Sequence, residues 1–165
     1  MKFPKILVAI VLLIAISCEK DENEEARLAL AGHWHIWDYE PNADSPEEES
    51  YLAKEAILQL VEIGCDPMEF SFKVDDTLSY RDGMNYLSPR STDDGVSVNC
   101  ASQYDDKVGT YDYDFETLVM NFENETITVK AKLEDKYLIT EVENMLINGV
   151  EVSGKLFYII ETGGH

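Results

Sequence analysis

Basic residues are scarce in this sequence. The chain of 165 residues contains 13 Lys and Arg against 33 Asp and Glu, which gives a formal net charge of −20. The first 17 residues hold two lysines and no acid, so the rest of the chain carries a net charge of −22. So acidic a chain binds nucleic acid only through a clustered basic face, and the sequence contains no such cluster. It therefore predicts no nucleic-acid partner.

A long hydrophobic run is also missing. The longest apolar stretch covers residues 6–16 and follows two lysines. A helix needs about 20 apolar residues to span a bilayer, so this stretch is too short for an uncleaved anchor. Its length and flanks are typical of a secretion signal. We therefore assign residues 1–17 to a signal peptide.

The residues after this run resemble the lipobox of bacterial lipoproteins. The small residue Ser17 directly precedes Cys18, which in that family is acylated and becomes the mature N-terminus. The next residues, 19–22, resemble the acidic export signal of Bacteroidetes lipoproteins. This resemblance implies a lipid anchor at Cys18, an acidic tether over residues 18–27, and an outer-membrane location facing the cell exterior. The periplasmic face is the alternative location.

Cysteine is rare, and the sequence contains an odd number of three. Lipidation uses Cys18, which leaves Cys65 and Cys100 as an even pair in an oxidising compartment. The sequence therefore predicts a disulfide between Cys65 and Cys100. A cysteine-based metal site needs four clustered ligands, and only two thiols remain.

Residues suited to catalysis are few. The chain has three histidines, His33, His35 and His165, and it lacks a Gly-x-Ser-x-Gly nucleophile motif. Neither Cys65 nor Cys100 is expected to be a free thiol. The sequence therefore predicts a protein that is not an enzyme and has no cofactor.

Residues that could bind a metal occur at two places in the sequence. His33 and His35 share one face of a strand, but they need a third ligand to hold a metal. If Trp34 points into the core, both imidazoles point to solvent. The recurrent aspartates over residues 93–114 do not follow the spacing of a calcium-binding loop. We expect surface imidazoles, a solvated acidic surface and no metal site.

Two segments have helical patterns. Residues 23–31 fit a short helix that Gly32 ends. Ser45, Pro46 and Glu48 form a capping-box pattern, and Gly64 supplies a stop. These signals predict one amphipathic helix of roughly 18 residues over positions 46–63. Its expected apolar face consists of Leu52, Ala56, Ile57, Leu60 and Val61.

Most of the remaining sequence alternates between apolar and polar residues, as β-strands do. About eight strands follow one another, and Asn148-Gly149 marks a tight turn before the last. Residues 82–107 are expected to form a long loop that is functional or mobile. Closure into an antiparallel up-and-down barrel removes exposed edges and covers the apolar face. A two-sheet β-sandwich is the alternative fold.

The order of several motifs resembles that of lipocalin-like lipoproteins of Bacteroidetes. These motifs are Gly32-x-Trp34 on the first strand, Cys65-Asp66 before a hairpin, the second cysteine, and Gly-Thr-Tyr at residues 109–111. The resemblance covers most of residues 28–162. It implies a lipocalin-like β-barrel domain there.

Two kinds of binding are consistent with such a barrel. A small apolar or amphipathic ligand would bind inside, because eight strands enclose packed side chains or one small ligand. Alternatively, loops and outer aromatic residues such as Trp37, Tyr39 and Tyr86 would contact a polysaccharide or a membrane protein. The candidate ligand-lining residues are Trp34, Ile36, Phe70, Phe72, Tyr80, Met120, Val129 and Tyr158.

One modification site is also predicted. Asp76-Thr77-Leu78 resembles the short O-glycosylation pattern of secreted Bacteroidetes proteins. It falls at an expected exposed turn, so Thr77 is the candidate acceptor.

Overall fold

Eight antiparallel strands form a closed barrel in the computed structural model, which describes residues 22–93, 95–147 and 149–161. Each barrel strand pairs with its neighbours in chain order, and the last strand closes on the first. The up-and-down barrel is thus confirmed, and the sandwich is excluded. The barrel strands are β1 (Gly32–Pro41), β2 (Met68–Phe72), β3 (Thr77–Asp82), β6 (Asp105–Tyr113), β7 (Thr117–Asn121), β8 (Thr126–Glu134), β9 (Tyr137–Ile147) and β10 (Val150–Ile160).

The alternation of apolar and polar residues explains which side chains of each strand point into the barrel. On β7, Leu118 and Met120 point inward and lie opposite Val129 and Ile127 of β8. The intervening threonines and lysines of β8 are exposed. Because the side-chain period of a strand is two, this pattern fixes the register of each pair.

A β-bulge interrupts the alternation on β1. The register with β10 shifts between Ile36 and Asp38, so Trp37 is an extra residue on this strand. Trp37 stays exposed, whereas Tyr39 turns inward and is fully buried. The prediction that Tyr39 lies on the outer surface is therefore wrong, because a bulge reverses which face the following residues occupy.

Gly154 allows β1 and β10 to approach closely. A Cβ atom at this position would lie 2.2 Å from the carbonyl oxygen of Glu40 and 2.8 Å from Cε2 of Tyr39. Any side chain larger than hydrogen would therefore push the two strands apart. Because Gly154 has no side chain, the inward-turned Tyr39 ring can pack beneath β10.

Helix α1 (Glu22–Leu30) covers one end of the barrel and corresponds to the expected short helix. Ala26 and Leu30 are fully buried. The Trp34 indole Nε1–H donates a hydrogen bond to the Leu30 carbonyl oxygen at 2.8 Å. Arg27 pairs with Asp76 in the β2–β3 turn, with 2.7 Å between Nη1 and Oδ1. Trp34 and α1 together close this end, which we call the α1 end.

Helix α2 (Glu47–Glu62) confirms the predicted amphipathic helix but begins differently. Pro46 precedes the helix, and no side chain caps it. The capping-box prediction is wrong, because the Ser45 hydroxyl instead donates to the Ser153 carbonyl oxygen at 3.1 Å. The expected apolar face is largely confirmed, because Ala56, Ile57 and Leu60 are buried. Leu52 and Val61 are only half-buried, and Ala53 is buried in addition.

The segment over residues 83–104 covers the opposite end, which we call the α2 end. It contains a 3₁₀ turn (Met84–Tyr86) and a small hairpin of β4 (Arg90–Thr92) with β5 (Gly95–Ser97). The turn contacts β9, and β5 contacts α2. The expectation of a bare, long loop is therefore wrong. Four apolar side chains of the segment are buried, and these are Met84, Leu87, Val98 and Ala101.

Neither helix among the described residues has the length and apolar character needed to cross a bilayer.

The predicted disulfide is present between Cys65, just after α2, and Cys100 in the 83–104 segment. Their Cα atoms lie 5.5 Å apart. The disulfide therefore joins the two parts that cover the α2 end.

Candidate functional site

The candidate ligand-lining residues all face the barrel interior. Seven of them are buried, with exposed fractions from 1% for Ile36 and Tyr158 to 9% for Tyr80. Val129 is half-buried and packs against the same core. The strand pattern thus identified the inward face correctly. Whether any of these residues touches a ligand is a separate question, which depends on the space between them.

An aromatic cluster occupies the space at the centre of the barrel. The Phe70 ring lies 4.9 Å from the Tyr80 ring, 5.1 Å from the Tyr158 ring and 5.5 Å from the Phe72 ring, between centroids. The Phe72 ring in turn meets Tyr111 edge-on at 4.9 Å. Such offset and edge-on contacts are the favoured packing of aromatic side chains. The interior is therefore a packed core.

The polar ends of this cluster are satisfied internally. The Tyr158 hydroxyl donates to Met68 Sδ at 3.0 Å, and the Tyr80 hydroxyl donates to Asp82 Oδ2 at 2.8 Å. Burial raises the pKa of Tyr158 and of Tyr80 well above the ordinary value, because a phenolate would be desolvated there. Both phenols therefore stay neutral and act as packing groups.

The clefts that the described residues line lie at the surface. Four of these clefts lack Trp34, Phe72, Met120 and Tyr158 in their linings. Phe70 and Tyr80 line one of the four, a cleft of about 270 Å³ beside His33 and Glu69. The barrel is also covered at one end by α1 and at the other by α2 with the 83–104 segment. These observations favour binding on the outside of the barrel.

A polar cleft of about 670 Å³ lies at the α2 end. One wall is the connection from β1 to α2, and the other is the β9–β10 hairpin. We call this the hairpin cleft. It is lined by Asn42, Asp44, Ser45, Pro46, Glu49, Glu143, Asn144, Gly149, Val150, Glu151 and Ser153.

The Ser153 backbone carbonyl holds the two walls of the hairpin cleft together. Its oxygen accepts hydrogen bonds from the Tyr39 hydroxyl at 2.9 Å, from the Asn42 N–H at 3.0 Å and from the Ser45 hydroxyl at 3.1 Å. The Asn144 N–H donates to the Ser153 hydroxyl oxygen at 2.9 Å. The bonds from Tyr39 and Ser45 join segments more than 100 residues apart in the chain, so the two walls of the cleft are held together by the fold.

The position of the cleft depends on two irregularities of the sheet. The β9–β10 register shifts between Val152 and Gly154, and Asn144 has a φ of 54°. This bulge places Glu143 and Asn144 on the cleft wall. Sequence reasoning missed the site because no local pattern in residues 137–160 marks the bulge.

The hairpin cleft is acidic. Four carboxylates line it, from Asp44, Glu49, Glu143 and Glu151, and the described residues of its lining include no lysine or arginine. The lining also offers amide, hydroxyl and backbone groups. Such a surface accepts hydrogen bonds from a neutral polyhydroxylated ligand and repels an anionic one.

The three aromatic residues that the sequence placed on the outer surface differ in their exposure and contacts. Trp37 is 43% exposed and remains available on the outer surface. The Tyr86 hydroxyl donates to Asp105 Oδ1 at 2.8 Å, and this hydrogen bond raises the pKa of Tyr86. Tyr39 is buried, and its hydroxyl donates a hydrogen bond to the Ser153 carbonyl oxygen at the hairpin cleft.

Of the two candidate modification sites, Thr77 and Cys18, only Thr77 lies among the described residues. Thr77 is half-buried at the start of β3, and its N–H donates to Asp75 Oδ1 at 3.2 Å. Glycosylation of Thr77 stays a prediction. The signal peptide and Cys18 lie outside the described residues.

His33 and His35 lie on the outer face of β1, as the strand period requires when Trp34 and Ile36 point inward.

The chain matches no protein-family model, no curated protein and no protein of known structure.

Proposed function

We propose that this protein is a non-catalytic, cell-surface lipoprotein that binds a neutral glycan at the hairpin cleft. The observation that carries this proposal is the contrast between a barrel filled by aromatic rings and a polar cleft on its outside. Acylated Cys18 would hold the domain at the outer membrane, facing the cell exterior. The resemblance to lipocalin-like lipoproteins supports the barrel as a scaffold for such binding.

The chemistry of the cleft favours a glycan over an apolar ligand. Carboxylate and amide oxygens accept hydrogen bonds from sugar hydroxyls, and the cleft offers them from both walls. The net charge of −20 makes an anionic polysaccharide unfavourable. A neutral glycan combines many hydroxyl donors with no charge to repel.

The experiment is affinity electrophoresis against a panel of neutral polysaccharides, followed by calorimetry with any that retard the protein. The test variant is the triple substitution Asp44→Ala, Glu143→Ala, Glu151→Ala. We expect it to weaken binding by at least about tenfold, because each lost charge-assisted hydrogen bond is worth roughly 1.5 to 3 kcal/mol before compensation.

The matched control replaces Glu24, Asp93 and Glu123, which are exposed carboxylates outside the cleft. It removes the same number of Asp and Glu side chains, so it changes the net charge equally. This variant should bind like the parent protein. Equal loss in both triple variants would show a general charge effect and would contradict the assigned cleft.

The internal-ligand alternative is tested by fluorescence in a Trp37→Phe background, where emission reports on Trp34 alone. An apolar probe such as N-phenylnaphthylamine should leave the emission of the buried Trp34 unchanged. A saturable change at Trp34 would favour an apolar ligand inside the barrel and would count against the proposed function.

A further inference from the structure

Five ionisable side chains meet on the outer face of the barrel near the start of β1. His33 and His35 come from β1, Glu69 comes from β2, Asp66 lies between the disulfide and β2, and Glu161 directly follows β10. The barrel closure brings them together, because β1 pairs with β2 on one side and with β10 on the other. The sequence supplied only the two histidines.

The geometry between His35 and Glu161 is close to that of two ligands on one metal ion. His35 Nε2 lies 3.6 Å from Glu161 Oε2. Donor atoms on a tetrahedral Zn²⁺ lie about 3.3 to 3.4 Å apart, given metal–ligand bonds of about 2.0 to 2.1 Å. One nitrogen of His33 completes the set, since one donor atom from each of these three residues lies within 4.8 Å of the others.

Each imidazole also faces a second carboxylate. His35 Nδ1 lies 3.3 Å from Asp66 Oδ1, and His33 Nε2 lies 3.4 Å from Glu69 Oε2. A histidine that binds a metal through one nitrogen normally donates its other N–H to a carboxylate. This arrangement leaves His35 Nε2, which lies 3.6 Å from Glu161 Oε2, as a metal-binding atom.

One buried atom of the cluster, a ring nitrogen of His35, has no hydrogen-bond partner. His35 Nδ1 is buried, and its contact with Asp66 does not have hydrogen-bond geometry. Metal binding at Nε2 places the proton on Nδ1, from which it can donate to Asp66 after a small rotation. A bound metal thus gives this buried nitrogen a partner.

Charge and access also suit a divalent cation. The cluster contains three carboxylates, and one of them, Glu69, also lies near Arg81, with 3.9 Å between Oε1 and Nη1. The Glu161 side chain is 61% exposed, which leaves the site open to water as a fourth ligand. Imidazole and carboxylate ligands together are typical of zinc sites.

We propose that His33, His35 and Glu161 bind Zn²⁺ on the outer face of the barrel, with Asp66 and Glu69 orienting the two imidazoles. This site lies on the face of β1, away from the residues of the hairpin cleft. The proposal therefore does not depend on glycan binding, and either can fail alone.

The experiment is a zinc titration by competition with a chromophoric chelator, using the full chain with Cys18→Ala. That substitution removes a free thiol that would itself bind zinc. We expect one Zn²⁺ per chain, with binding at least about tenfold weaker in His33→Ala, in His35→Ala and in Glu161→Gln. Asp66→Asn should weaken binding about tenfold, because loss of an orienting partner typically costs that much.

The matched control is His165→Ala, since His165 is the third histidine and has no role in the proposal. It should keep the affinity of the parent within about twofold. Nuclear magnetic resonance of the histidine rings gives an independent readout, in which Zn²⁺ should shift the signals of His33 and His35 but leave His165 unchanged. Thermal melts of each variant without zinc separate lost binding from lost folding.

Two results would overturn the proposal. One is the absence of saturable zinc binding by the folded parent chain. The other is unchanged affinity in the double variant His33→Ala, His35→Ala, which would place the metal elsewhere.

Discussion

Tyr158 shows how a polar side chain can serve as a core residue. It is 1% exposed, its ring meets Phe70, and its hydroxyl donates to Met68 Sδ. The neutral phenol fills space and satisfies its one donor within the barrel. Ionisation would place a desolvated charge inside the aromatic cluster.

This burial predicts a loss of stability at alkaline pH. The pKa of Tyr158 is raised in the folded state above the ordinary value of 10.0. Above that pH the unfolded chain loses the proton while the folded chain keeps it, so stability falls as pH rises. Each such tyrosine lowers the free energy of unfolding by about 1.4 kcal/mol per pH unit there. Urea unfolding at pH 9, 10 and 11 should show the fall.

Tyr158→Phe provides the comparison for this prediction. The variant should lose stability less steeply above about pH 10, because one titrating group has been removed. Tyr51→Phe is the control, since Tyr51 is 55% exposed on α2. If Tyr158→Phe and the parent lose stability equally steeply, the buried phenol is not the cause.

At the scale of elements, the 83–104 segment acts as a cover docked on α2. The Val98 N–H donates to Gln59 Oε1 at 2.7 Å, and Met84 and Leu87 are buried beneath it. The disulfide from Cys65 to Cys100 fixes the segment next to the end of α2. A sequence rich in Gly, Ser and Asp thus forms an ordered cover, because a few apolar residues reach the core.

The double variant Cys65→Ala, Cys100→Ala should be less stable but still folded. The cysteines are 35 residues apart, and closing a loop of that size stabilises by about 3 to 4 kcal/mol in the chain-entropy treatment. Urea unfolding should show a loss of at most that size, and hydrogen exchange at the Val98 amide should accelerate. Unchanged exchange at Val98 would mean that apolar packing alone docks the segment.

At the scale of the whole molecule, the domain is a closed scaffold with its chemistry on the outside. The rings fill the barrel, α1 and α2 cover its ends, and the hairpin cleft and the histidine cluster both lie on the surface. A surface location at the membrane would present these features to the cell exterior. The anchor is therefore the feature on which the proposed role depends.

Cys18→Ala should release the protein from the membrane fraction without unfolding it. Lipoprotein acylation attaches more than one chain, which gives stable anchoring, and the barrel does not depend on it. Mass spectrometry of the parent should show a diacylated or triacylated N-terminal cysteine. The variant Cys65→Ala, Cys100→Ala is the matched cysteine control and should stay membrane-bound. A parent protein recovered soluble with unmodified Cys18 would contradict the prediction.

The sequence by itself determined the barrel strands, the disulfide and the inward face apart from Tyr39. Alternation is a local signal with a period of two, so residues such as Phe70, Phe72 and Met120 could be assigned to the core from their neighbours alone. Once Cys18 is assigned to lipidation, Cys65 and Cys100 remain as the only pair, and no geometry was needed to select them. Chain closure followed because an open sheet would leave exposed edges and an uncovered apolar face.

Only the tertiary structure decided where polar groups meet. The bulge at Trp37 buries Tyr39, and the bulge at Asn144 shapes the hairpin cleft. Glu161 reaches His35 because β10 closes on β1 across the barrel seam. Bulges and seam contacts depend on pairing between distant strands, so no local sequence pattern encodes them.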